Sequence, residues 1–200
     1  MASRNAVIGS VSSVVVVAAA VGLLFAVRAV GADELDLPAE VDGFTAIDTV
    51  RASGTGTDDD VARRAAADDE DAEGWSEAFD GAAAAVRSYV DLDSGDTATL
   101  SAVAVAADMG VLVPTSGFPD PAELGLALPR EERVVDGDVE CVLTRVSPPV
   151  AGRDYQPDEA TPDAVTCQRR SATLTVRVAG PVADPDRVVG VVDDLWDELR

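Results

Sequence analysis

Apolar positions divide the chain into one continuous run at the start and short periodic segments after it. Residues 5–27 read NAVIGSVSSVVVVAAAVGLLFAV, 23 residues without a charge between Arg4 and Arg28. A helix of that length spans roughly 34 Å, enough to cross a hydrocarbon core of about 30 Å. The run predicts a transmembrane anchor over residues 5–30, behind a cytoplasmic tail of residues 1–4. A cleaved secretory signal stays open, because Val30-Gly31-Ala32 suits a signal-peptidase site. Against it, the uncharged run exceeds the usual apolar signal core of about 7–15 residues.

Beyond the run, residues 31–43 read as a polar stalk and residues 44–200 as one domain. Phe44–Val50 suits a short edge strand, and 51–60 (RASGTGTDDD) has the composition of a mobile loop. Val61–Asp80 predicts a helix capped by Asp58–Asp60, with Trp75 and Phe79 at i, i+4 and an interruption near Gly74. Ala83–Val90 and Thr97–Ala106 predict a hairpin around Asp93-Ser94-Gly95-Asp96, although Ala82–Arg87 also admits a helix. Asp120-Pro121-Ala122-Glu123 opens a short helix. Asp136-Gly137-Asp138 makes a turn before a strand at Val139–Val146, and four prolines mark 147–162 as a loop. Ala164–Ala179 alternates apolar with polar residues and reads as the best strand in the chain. Asp184-Pro185 caps a final helix whose Val188, Val189, Val192, Leu195, Trp196 and Leu199 form one apolar stripe, with Trp196 as a core anchor. The expected fold class is α+β: an N-terminal transmembrane helix followed by an antiparallel sheet with helices packed on one face.

Composition narrows the chemistry. The chain has 37 Asp and Glu against 15 basic residues, all of them Arg, for a net charge of −22. All the acids lie beyond residue 31, with 13 of the arginines, so that part carries a formal −24. A field of that sign repels phosphate backbones, which excludes nucleic acid as a partner. Zero Lys with abundant Ala, Val, Asp and Arg has the look of high-GC coding. Aromatics make up only 4%, so the core is expected around a few anchors: Phe44, Trp75, Phe79, Tyr89, Phe118 and Trp196.

There is no His and no Lys. That removes the commonest general base, the commonest metal ligand, a Ser–Lys dyad and any Cys/His pair. Cys141 and Cys167 are the only cysteines; if their strands are neighbours, a disulfide closes a loop of 27 residues. Their separation argues against redox chemistry, which favours a close C-x-x-C. The bond also favours an oxidising compartment, with the domain outside the cytoplasm. Asp91–Asp96 starts like a calcium loop, but Gly95 is fifth, Asp96 sixth and Ala102 twelfth, so the pattern fails. Asp58–Asp60 and Asp68–Asp71 read as solvated charge, and Arg169-Arg170 as partners for the domain's own acids rather than an anion site. No catalytic set, cofactor fingerprint or phosphate loop is present in the sequence.

The apolar leader, Val86-Arg87-Ser88-Tyr89-Val90-Asp91 before a second strand, Cys141, Val165-Thr166-Cys167 and a terminal helix together resemble a loose class of actinobacterial single-pass membrane proteins. The likeness covers residues 5–30 and about 83–200 and implies architecture and location; it transfers no activity. The expected role is a non-enzymatic envelope module that binds protein or senses its surroundings, with the membrane contacted through residues 5–27. Two rivals remain: a carboxylate-based hydrolase, and a secreted factor cleaved near Ala32.

Overall fold

A computed structural model describes residues 35–50, 57–92, 99–181 and 184–200. The expected anchor at 5–30, most of the loop at 51–60 and the tip of the 93–98 turn lie outside the described residues.

Eight strands form one antiparallel sheet. They are β1 (Glu40–Val41), β2 (Phe44–Ala46), β3 (Ala84–Asp91), β4 (Thr99–Val105), β5 (Glu131–Asp136), β6 (Val139–Thr144), β7 (Ala164–Arg170) and β8 (Thr175–Gly180), in the order β1-β2-β3-β4-β8-β7-β6-β5. Two long helices, α1 (Asp58–Ala78) and α3 (Pro185–Glu198), a one-turn α2 (Pro157–Ala160) and two 3-10 turns, Ile47–Thr49 and Pro121–Leu124, complete the regular structure of the described residues. The second 3-10 turn, capped by Asp120, is the short helix expected there. The folded unit begins at Leu35, inside the segment read as a stalk. Leu37 and Val41 are buried there, and Asp42-Gly43, both at positive φ (42° and 78°), make the tight β1–β2 turn.

Register separates the two faces. Phe44, Tyr89, Leu100, Ala102, Val176, Val178, Val165, Cys167, Cys141 and Leu143 share one face, and α3 lays Val188, Val191, Val192, Leu195 and Trp196 against it. This is the main core. On the other face stand Ser88, Ser101, Val103, Arg177, Gln168 and Glu140. Helix α1 covers the β3 half of that face: Asp68 accepts from Ser88 N (2.9 Å) and Oγ (2.8 Å), and Trp75 lies 5.8 Å from the Arg177 guanidinium.

The expected fold class is therefore corrected. The described chain is mostly sheet, with its two long helices on opposite faces rather than on one. No helix among the described residues is long and apolar enough to cross a membrane. The alternation in Ala164–Ala179 reads as one buried face. The second face of the sheet is also covered, over β3 and β4 by α1, whose own apolar positions are mostly Ala.

Several elements also shift. Thr57, not Asp58–Asp60, caps α1: its side chain takes the Asp60 amide while Asp60 takes the Thr57 amide. Helix α1 runs unbroken through Gly74. Ala164–Ala179 is two strands, β7 and β8, joined at Ser171, whose Oγ accepts from Thr173 N (3.2 Å) and Leu174 N (3.1 Å). β2 is an interior strand, and β5 was not anticipated.

Candidate functional site

The segment after β4 builds the most distinctive surface. It crosses the second face of the sheet over four strands, and each strand supplies a polar tie. At β8, Thr175 Oγ1 donates to Ala107 O (2.7 Å) and accepts from Met109 N (3.0 Å). At β7, Gln168 Nε2 donates to Gly110 O (2.7 Å) and Arg170 pairs with Asp108 (3.1 Å). At β6, Glu140 accepts from Leu112 N (3.2 Å). At β5, Glu131 accepts from Thr115 Oγ1 (2.7 Å) and from Ser116 N (2.7 Å) and Oγ. These hydrogen bonds, led by Ser116, hold the Glu131 carboxyl down at about 2.

Along this strap Leu112 and Pro114 turn inward, while Val111 and Val113 turn out. Phe118, two residues past the last tie, is 71% exposed. Ties at seven strap residues hold those apolar side chains in solvent instead of letting them collapse onto the sheet. An exposed apolar set built on fixed backbone is the usual mark of a contact surface.

The strap ends at the sheet's free edge. β5 and β6 join through Gly137-Asp138, so Asp136 pairs with Val139, and Arg145 N donates to Arg130 O (2.7 Å). Even-numbered residues of β5 thus direct backbone groups at β6, and Glu131, Arg133 and Val135 direct theirs outward. Among the described residues no backbone group pairs with those outward positions. Val134 and Val135 are exposed on opposite faces of the strand. Arg133 reaches Glu140 (3.2 Å), and Glu132 reaches Arg145 (3.0 Å), so the strand is held flat from both sides.

Of the residues singled out from sequence, Arg170 and Phe118 belong to the strap and the others fall elsewhere. Cys141 and Cys167 face each other across β6 and β7 and form a disulfide with 4.0 Å between Cα atoms. Both are buried in the main core, which makes the bond a staple. Arg169 pairs with Asp138 (3.2 Å) and Asp193 (2.7 Å) and lies 5.0 Å from the Trp196 ring; Arg170 pairs with Asp108. Asp68 is buried on Ser88, whereas Asp69, Glu70 and Asp71 are exposed on α1. Asp91 pairs with Arg187 (2.9 Å). Phe118, expected as a core anchor, is the most exposed large apolar residue among those described. A lone Phe between prolines carries the same sequence signal in either role.

A second concave region, an open cleft of about 630 Å³, lies between the β1–β2 turn and the end of α3. Glu40, Asp42, Asp194, Asp197 and Glu198 line it, all exposed. Partial burial, with Asp42, Asp197 and Asp193 nearby, raises the Asp194 carboxyl above its ordinary value. Two buried acids, the requirement of a carboxylate hydrolase, are not assembled there. Among the described residues no group of three or more acidic or sulfur ligands is arranged to hold a metal ion.

Comparison with known proteins returns no match: no family model, no curated protein and no solved structure is similar to the chain.

Proposed function

We propose that this protein is a disulfide-stapled binding module of the cell envelope that works outside the cytoplasm and docks another protein on the strap and the β5 edge. Residues 5–27 deliver it there, and the buried Cys141–Cys167 bond suits an oxidising compartment. The observation that carries the reading is Phe118. Its ring stands in solvent on a backbone anchored at Thr115 and Ser116, on the same strap as exposed Val111 and Val113. That strap is tied to a strand, β5, whose outward edge has no backbone partner among the described residues. A monomer with no partner gains nothing from that arrangement, because burying Phe118 would release roughly 1.5–3 kcal/mol.

The test is photo-cross-linking in intact cells. A photoreactive phenylalanine analogue at position 118 is expected to give a discrete protein adduct. The same analogue at Leu92, also exposed at 57%, serves as the control. Adducts no stronger at 118 than at 92 would remove the reading. So would a purified domain that turns over a substrate.

A further inference from the structure

We infer that the partner pairs as an additional strand along β5, and that the strand it supplies is basic on one side and apolar on the other. This rests on the binding reading above and specifies its mode.

The backbone argument comes first. β5 is the last strand of an eight-stranded sheet, six residues long, and the outward N–H and C=O groups of Glu131, Arg133 and Val135 have no backbone partner among the described residues. Native sheets shield such an edge with a short strand, charged side chains, a bulge, a proline or a covering segment. Of these β5 has only the charges of Glu131, Glu132, Arg133 and Asp136: it pairs in continuous register with β6 from Glu131 to Asp136 and lacks proline. The strap, which could have covered the edge, is instead tied to the Glu131 side chain on one face and leaves the outward groups clear. Strand addition takes its affinity from main-chain hydrogen bonds and its selectivity from alternate side chains.

Side chains then define the partner. Glu132, Val134 and Asp136 project on the α3 face; Glu131, Arg133 and Val135 project on the strap face, toward Phe118's side of the sheet. An incoming strand thus meets Asp136 and the Arg145-paired Glu132 around a valine on one face and an exposed valine on the other. Lys or Arg at alternate positions fits the first row, and Val or Ile fits the second. A second copy of this chain is the obvious competitor for an open edge. At −22 overall, with three acids against one Arg in β5 itself, two copies repel one another. The charge that opposes self-pairing draws in a basic strand.

The experiment uses an eight-residue peptide of alternating lysine and valine, titrated into the full chain and followed by amide hydrogen exchange. The expected result is slowed exchange at Glu131, Arg133 and Val135, at least tenfold when saturated, with the β6 and β7 amides unchanged. A peptide of the same charge, N-methylated at every second residue, is expected to bind at least tenfold more weakly because it cannot complete the ladder. Val135→Pro removes one outward N–H that β6 does not use, so the fold should survive and the affinity should drop by a similar factor. Equal binding by the N-methylated peptide would show charge attraction alone and overturn the inference. Protection confined to residues 108–118, or concentration-dependent protection of the β5 amides in the free protein, would overturn it as well. The broader reading fails separately: a position-118 adduct in cells that persists undiminished in the Val135→Pro chain keeps the binding role and removes the strand-addition mode.

Discussion

Asp68 shows how one carboxylate joins a helix to a sheet. It is 8% exposed and accepts from both the amide and the hydroxyl of Ser88, an edge position of β3 just past the end of β2. Without that acceptor a strand amide would be buried unpaired beneath α1. Asp68→Ala is expected to destabilise the chain by about 1–3 kcal/mol, read as a lower urea midpoint. Ser88→Ala should cost less, because Asp68 keeps the amide bond. An Asp68→Ala midpoint equal to wild type would mean that α1 is held by its other contacts. Arg177 is a different solution to burial. The guanidinium sits between Trp75 and Gln168, donating to Gln168 Oε1 (3.1 and 2.8 Å), and its burial lowers its pKa from the usual arginine value. Here a neutral amide and an indole face replace the carboxylate partner found elsewhere in the sheet.

At the scale of elements, the strap and β5 are coupled through Glu131. Its carboxyl is depressed to about 2, so between that value and the ordinary range near 4.5 the folded chain binds fewer protons than the unfolded one. The tie is therefore fully present above about pH 4.5 and is lost as the pH falls toward 2. Glu131→Gln should lower the urea midpoint at pH 6, with the gap closing by pH 2; a gap that persists at pH 2 would assign the effect to packing. How much of this was legible beforehand varies by element. The α3 stripe could be read because one side of the helix is buried, which leaves a period in the sequence. The β3–β4 hairpin could be read from its turn residues Asp93-Ser94-Gly95-Asp96, since β4 is buried on both faces. β5 could not, since Glu131-Glu132-Arg133-Val134-Val135-Asp136 has no buried face and so no alternation. The β7–β8 turn was missed because Ser171 closes it through its hydroxyl, without Gly, Pro, Asn or Asp between the strands. The strap's ties pair residues 15 to 68 positions apart, and no local pattern encodes them.

Over the whole molecule, the disulfide decides whether the β5–β6 hairpin stays on the sheet. Hairpin β5–β6 is attached along β6–β7, through the strap and by the packing of β6 on α3, whereas α1 packs on the opposite, β3–β4 half of the sheet. Cys141 and Cys167 lie directly opposite in that β6–β7 ladder, at a pair whose Cα atoms are 4.0 Å apart. Such close approach belongs to the non-hydrogen-bonded pairs of an antiparallel ladder, so the bond adds a constraint between two backbone bridges instead of replacing one. The sequence separation of 26 gives a chain-entropy contribution of about 3.5 kcal/mol. Set against a usual total of about 5–15 kcal/mol, that is a large share. A double Cys141→Ala, Cys167→Ala chain should therefore melt roughly 7–14 °C lower. Its hydrogen exchange should rise first in β5 and β6, before β3, β4 and β8. An unchanged melting temperature, or loss of protection spread evenly over all strands, would mean the staple does not govern this half of the sheet. The β5 edge would then owe its rigidity to the strap and to the Arg133–Glu140 and Glu132–Arg145 pairs, and Glu131→Gln, not cysteine removal, would be the change that loosens it.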